Sequence, residues 1–456
     1  MARHRVRQRG GVLGYAGLCV AVLGLGFLVC TPTWAQSQDM PTTAKTATKA
    51  RAPSASKAGG QRAETLSPKR PEAWRRLGLL ELQGGNLAGA QASFERMLAL
   101  GSERGDKAAI ATAAYGLGGV HAVRAGWMGT DAKVAAMWGA SPKNLMNSGD
   151  SEFVKAKAMF EKSLALNKAL GRNQDTAVGY VRLGALYRRD GDLDRAEAMF
   201  KQSLALNKAS RRRKEMAADY SHLGGLYQAR GDLDRAETMI RQALALCTSL
   251  QLKTELARSY IVLAAVYKSR GELDRAEAIY KQALALADTQ ERYTITLDLE
   301  DLYRARGDKE QMQRMRADAD ALAKEWGSSL IIFRPSLYLS GRFSKGQTEA
   351  LQKAVPLEKA LGHDVGLATS YTLLGLHHLR RDELDGAERM FKDAVVLNEA
   401  LGRQDEVARL YAELGRVEQK RGDKAQACAH FRKGAEAFPN SRTLIDLLNR
   451  GGCAER

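Results

Sequence analysis

Tyr180-Val-Arg-Leu-Gly-Ala-Leu-Tyr187, followed by Gly191-Asp-Leu-Asp-Arg-Ala196, decides the fold because it recurs. Tyr220-Ser-His-Leu-Gly-Gly-Leu-Tyr227 with Gly231-Asp-Leu-Asp-Arg-Ala236 is a second copy. Tyr260-Ile-Val-Leu-Ala-Ala-Val-Tyr267 with Gly271-Glu-Leu-Asp-Arg-Ala276 is a third, and the three glycines are spaced 40 residues apart. Within one copy Tyr180, Leu183, Gly184 and Tyr187 recur at three- and four-residue spacing, which places them on one face of a helix. Gly191 falls where that helix must stop, since glycine tolerates the left-handed conformation that closes a helix. Asp192 then suits the N-cap of a second helix, in which Ala196, Phe200 and Leu204 return every four residues. Small Ala196 allows close approach, and Phe200 fills the space between the helices. A hairpin of this kind cannot bury its apolar face alone and needs neighbours on both sides.

Working outward, Trp74-Arg-Arg-Leu77-Gly78 is followed by Gly85, Ala90 and Phe94. Tyr371, Leu374-Gly375, Ala387 and Phe391 form another copy, and Leu414-Gly415, Gly422, Ala427, Phe431 and Pro439 the last. This pattern resembles the tetratricopeptide repeat (TPR), with Trp-x2-Leu-Gly-x2-Tyr and then Gly, Ala, Phe and Pro at set offsets. The 40-residue period exceeds that family's usual length and is similar to the long-helix variety of kinesin light chains. The resemblance spans roughly residues 71–450. It implies an all-α protein, an α-solenoid superhelix of about eight stacked antiparallel helical hairpins, and a role in binding other proteins.

The expected organisation is a first solenoid part over 71–325, a degenerate repeat or hinge over 326–362, and C-terminal repeats with a capping helix over 363–450. In the second repeat the helix near Gly118 and the helix near Phe160 are about 26 residues further apart than in other copies, which defines an insert at 126–151. Two readings of Trp127 and Trp138 in that insert stand: a partner-binding knob, since Trp is enriched at binding hot spots, or a short helix packed back on the solenoid. Residues 326–346 lose the repeat register, and it returns at Lys353-Ala-Val-Pro-Leu-Glu-Lys-Ala-Leu-Gly362, an echo of Lys162-Ser-Leu-Ala-Leu-Asn-Lys-Ala-Leu-Gly171.

The first 70 residues are of another kind. Arg3, Arg5, Arg7 and Arg9 precede an apolar run from Val12 to Val29, and Thr33-Trp34-Ala35 offers small residues before Gln36. Residues 1–35 therefore read as a secretory signal, cleaved or retained as a membrane anchor. The expected location is outside the cytoplasm, periplasmic or secreted in a bacterium. Residues 36–70 lack apolar periodicity and carry seven basic residues against two acidic ones. They read as a disordered linker, serving either as a solvated spacer or as a tether to an anionic membrane or envelope surface.

The 456 residues hold 70 Lys and Arg against 52 Asp and Glu, a formal charge of +18, which would suggest an anionic partner such as nucleic acid. Half of that charge, however, lies in the signal and linker. Aromatic residues make up only 6%, too few for base-stacking platforms, so no nucleic-acid partner is expected. No nucleophile–base pair, phosphate loop or metal-ligand spacing survives inspection, and no catalysis, cofactor or metal is expected. Gly116-Leu-Gly118-Gly119 has no preceding strand, His377-His378 has no ligand partner at the right spacing, and the paired acids such as Asp192 and Asp194 read as helix caps. Downstream of the signal, a Cys428–Cys453 disulfide would tie the last hairpin to the tail and leave Cys247 free.

In tetratricopeptide arrays the first helix of each hairpin lines a concave groove. The resemblance carries that role onto Arg75, Arg76, Arg182, Arg188, Arg189, His222, Gln228, Arg258 and Lys268, with Ala185, Gly225 and Ala265 as a small-residue floor. All the charged members are basic, so the expected guest is a protein or peptide segment with acidic side chains. The competing expectation is an envelope-surface binder that holds anionic polymer or lipid with its linker and basic face.

Overall fold

A computed structural model describes residues 67–125, 142–287, 289–325, 345–439, 441–450 and 453. The signal, most of the linker, Trp127, Trp138 and residues 326–344 lie outside the described residues. The described chain is all-α: eighteen helices and no strand. In order they are α1 (Pro71–Gly84), α2 (Leu87–Glu103), α3 (Lys107–Arg124), α4 (Pro142–Ala169), α5 (Asn173–Arg189) and α6 (Leu193–Ala209). Next come α7 (Arg213–Arg230), α8 (Leu233–Ser249), α9 (Lys253–Arg270), α10 (Leu273–Leu286), α11 (Thr289–Arg306) and α12 (Lys309–Glu325). The last six are α13 (Lys345–Leu361), α14 (Asp364–Arg380), α15 (Leu384–Ala400), α16 (Gln404–Arg421), α17 (Lys424–Ala437) and α18 (Arg442–Arg450). Consecutive helices pair as hairpins and hairpins stack on one another, the α-solenoid arrangement the repeats imply.

The local reasons match the repeat pattern. Gly231 ends α7 at φ 82°, and Asp232 caps α8 by accepting the Arg235 amide at 3.2 Å. Phe94, Phe160, Phe200, Phe391 and Phe431 are fully buried, each in the second helix of its hairpin. Each lies against a glycine of the first helix: a Cβ on Gly375 would fall 2.6 Å from the Phe391 ring. The same packing accounts for the glycine run 116–119, because Gly116 abuts Phe94 and Gly118 abuts Phe160. The 126–151 insert is partly helical, since α4 begins at Pro142, well before the repeat pattern requires.

The chain divides into two compact units. One comprises residues 211–318. Its core joins Ile240, Leu263, Tyr267, Tyr280, Ile295 and Leu302, and it encloses Cys247, whose thiol is pushed up in pKa by burial. A repeated polar ladder also crosses its hairpins. Arg270 at the end of α9 donates to Asp234 at 2.6 Å and to Glu237, both on α8; Arg306 at the end of α11 donates to Asp274 at 2.6 Å and Glu277 at 2.7 Å on α10. In this unit Asp234 and Asp274 therefore bridge hairpins, and of the acids two residues before them only Asp232 is a side-chain cap. Burial opposes ionisation of Glu237, but hydrogen bonds from Arg270, Arg241 and Tyr267 outweigh it and hold the carboxyl at about 2.

The other unit joins the described residues of 67–210 to those after 318. Here the order in space departs from the order in sequence. Helix α13 packs on α1 and α14 packs on α2, so the first hairpin lies between α3 on one side and α13–α14 on the other. One apolar cluster unites Trp74, Leu77, Met97, Leu100 and Ala113 with Ala354, Leu357 and Leu361. The far end is closed by α18, where Leu444 packs on Ala408, Phe431 and the Cys428–Cys453 disulfide, whose Cα atoms are 5.4 Å apart.

Candidate functional site

The groove positions carried over from the repeat resemblance fall into two sets. In the 211–318 unit their polar atoms already have partners. Gln228 donates to Ser269 Oγ at 3.1 Å, Arg258 donates to Glu291 at 2.9 Å, and Lys268 Nζ lies 4.0 Å from Asp298. Glu291 and Asp298 both belong to α11, the neighbouring first helix, so the basic charge on α9 is largely offset there. His222 is buried.

In the other unit the arginines are less evenly engaged. Arg182 is only 3% exposed; its Nε donates to the Tyr115 hydroxyl at 3.0 Å and its guanidinium lies over that ring, so it acts as a core residue. Arg189 donates to the Ala125 carbonyl at 3.0 Å and lies over Phe153. Arg76 is exposed. Arg188 is half-buried, and burial alone pulls its pKa down to about 10. For Arg75 too, burial is the largest influence and lowers the pKa; Glu72 counteracts it and Arg172 adds to it. A desolvated guanidinium gains from an anionic guest.

A second polar constellation, which the sequence reading missed, lies where α1–α2 meets α13–α14. Glu81, Asn86, Ser93, Glu358, His363 and Ser370 are all buried, with Glu81 and Glu358 fully so. Two turns contribute matching sets. Ser93 Oγ donates to Glu81 at 2.6 Å, as Ser370 Oγ donates to Glu358 at 2.7 Å. Asn86, at the start of α2, donates to the Gly366 carbonyl at 2.8 Å and to Ser370 Oγ at 3.0 Å; His363, at the start of α14, donates to the Gly89 carbonyl at 3.3 Å. Glu81-x4-Asn86-x2-Gly89-x3-Ser93 and Glu358-x4-His363-x2-Gly366-x3-Ser370 have the same spacing, so the junction is pseudo-two-fold.

This junction brings two carboxyls together. Burial, and then the charge of Glu81, push the Glu358 pKa up to about 9, so Glu358 is protonated at neutral pH. Glu358 hydrogen-bonds to Glu81, and Glu358 Oε2 has no other partner, so a proton held by Glu358 serves that contact. His363 Nε2 lies 3.2 Å from Glu81 Oε1. Burial lowers the imidazole pKa, but the hydrogen bond and charge of Glu81 outweigh it, and His363 stays above its ordinary value. The His363 ring also meets Trp74 edge-on at 5.5 Å. The adjacent histidines of the sequence do something else: His378 pairs with Glu383 at 2.6 Å.

Comparison with known proteins agrees with this architecture. Residues 142–328 match the MalT-like TPR region family, and residues 408–433 match the tetratricopeptide repeat family. The chain therefore carries TPR-type repeats. No curated protein matches the sequence. Among solved structures, BtubC from P. vanneervenii is 18% identical over 58% of this chain and 99% of its own, with a TM-score of 0.39. A Rap protein complexed with Competence and Sporulation Factor is 14% identical over 78% and 98%, also at 0.39. The quorum sensor NprR from B. thuringiensis is 13% identical over 74% and 99%, at 0.32.

Proposed function

We propose that this is an exported, non-catalytic TPR scaffold that binds a protein or peptide segment bearing acidic side chains along the first helices of its hairpins. The observation that carries the reading is the contrast between the two arginine sets. Arg258 and Lys268 face carboxylates of the chain itself, whereas Arg188 is desolvated with burial as the cause and Arg76 is exposed. On this reading the acidic guest lies along Arg75, Arg76 and Arg188. Export is supported by the basic and apolar signature of residues 1–35 and by the Cys428–Cys453 disulfide, which persists in oxidising compartments.

The test is binding of a fluorescent poly-glutamate peptide, followed by anisotropy against salt. Arg76→Glu is expected to weaken binding several-fold and to lower its salt dependence, with unchanged helicity. Equal affinity in the variant would refute this placement. The seven basic residues of 36–70 favour a second reading, contact with an anionic envelope or membrane surface. Deleting 36–70 would abolish binding to anionic vesicles on that reading and leave the peptide affinity untouched on the first.

A further inference from the structure

The junction between α1–α2 and α13–α14 is more than a packing contact. We propose that it is a proton-dependent clasp: the Glu81–Glu358 pair holds the first hairpin against the later repeats while it retains a proton, and releases that hairpin when the proton is lost. The geometry supports each part. Both carboxyls are wholly shielded from solvent, face one another and receive separate serine donors, and the basic group beside the pair, His363, lies 3.2 Å from Glu81 Oε1. The titratable and charged groups at the junction are Glu81 from α1, Glu358 from α13, and His363 and Asp364 at the start of α14; α2 contributes the neutral Asn86 and Ser93. Two ionised carboxylates in such a site repel and are both desolvated, whereas one shared proton turns repulsion into a hydrogen bond.

The sign follows from linkage. Glu358 binds its proton more tightly in the docked state than in free solution, and so does His363. Groups of this kind stabilise docking fully at low pH, and the contribution fades as pH rises through their docked-state values. The clasp is therefore tight in mild acid and loosens toward alkaline pH, over a window from the ordinary carboxyl value of 4.5 up to about 9. His363 reinforces this trend, since its protonated form also pairs with Glu81. Nothing else at the junction opposes it: the charge of Asp364 raises His363 further. Opening by this route separates α1–α2 from α13–α14 without unfolding the 211–318 unit.

Glu358→Gln is the decisive variant. The amide Oε1 still accepts from Ser370 and Asn86, and its NH2 group donates to Glu81 as the shared proton does. The full chain is followed by amide hydrogen exchange at about pH 6 and about pH 8.5, corrected for the intrinsic rate, with α8–α10 as internal reference. In the wild type the opening equilibrium of α1–α2 is expected to rise by up to about tenfold per pH unit, the limit for one proton released. In Glu358→Gln the slope shrinks to what His363 alone contributes. Unchanged wild-type protection across this range, or a Glu358→Gln slope equal to wild type, overturns the proposal. Should Glu358→Gln fail to fold, Glu81→Gln takes its place: with no like charge facing Glu358, the pH-dependent loss of protection must shrink, and an unaltered loss is equally fatal.

Discussion

Gly375→Ala should destabilise the wild-type protein yet stabilise it once Phe391 has been cut back to alanine. Phe391 is fully buried among Leu376, Ala387, Ala394 and Leu410, so Phe391→Ala leaves a cavity and costs about 3–5 kcal/mol. A methyl on Gly375 would sit 2.6 Å from that ring, closer than van der Waals contact permits. Overpacking of this order costs about 1–3 kcal/mol. Against it stands the gain of about 1 kcal/mol from replacing glycine inside a helix. The net effect in the wild type is thus a loss of about 0–2 kcal/mol. In the Phe391→Ala background the clash vanishes, the methyl enters the cavity, and the helix gain remains, so the sign reverses. The coupling should reach about 1–3 kcal/mol, as expected for groups in direct contact. Because stacked repeats open in segments, the measurement is hydrogen exchange of α14 and α15 amides in all four proteins. Equal effects of Gly375→Ala in the two backgrounds would refute the register of glycine against phenylalanine on which the hairpin reading rests.

Two further outcomes follow from side chains outside that contact. Glu237 ionises at about 2 instead of its ordinary 4.5, so its share of stability is present above about 4.5 and is lost as pH falls toward 2; Arg270→Ala should raise the Glu237 carboxyl value in a 13C titration, and an unmoved value would remove Arg270 from the ladder. The Cys428–Cys453 bridge closes a 25-residue separation, and Cys428→Ser should cost about 3 kcal/mol in protection of α17 and α18, with α8–α10 unaffected. Identical exchange with and without the bridge would mean that Leu444 packing alone holds the tail.

Hairpins, helix ends and the core aromatics were legible because they repeat: Tyr, Leu, Gly, Ala and Phe return at fixed offsets, and each offset has a local cause. The partners of the polar residues were harder to read. Asp234, Asp274 and Asp385 occupy turn positions where capping is the economical reading, yet each receives an arginine from the following hairpin, Arg421 reaching Asp385 at 2.5 Å. The arginines at groove positions look alike in sequence, but only a structure separates Arg182, buried under Tyr115, from Arg76 in solvent. The junction left one trace in the sequence. In the echo of 162–171 by 353–362, Glu358 stands where Asn167 stands, a carboxylate at a position occupied elsewhere by a neutral, buried amide. A buried acid at a repeat position signals a partner outside its own hairpin, and here that partner is Glu81, 277 residues earlier in the sequence.

The placement of α1–α2 changes what stabilises the first repeat. In a linear array a terminal hairpin has one neighbour and needs a polar outer face. Here α1–α2 has neighbours on both sides, and its outer face is apolar enough to bury Trp74 and Leu77 against Leu357 and Leu361. Apolar burial of that extent would by itself fix the hairpin permanently, whatever the pH. Inserting two carboxyls into the same interface makes part of its stability conditional on a proton, because the apolar contacts cannot form without also burying Glu81 and Glu358. Replacing both acids by neutral residues of similar volume should therefore give a tighter, pH-insensitive junction, as buried ionisable groups exchanged for uncharged ones commonly do. The acid pair lowers maximal stability. What it adds is a response of the Arg75- and Arg76-bearing helix to pH, which an apolar junction of the same size would lack.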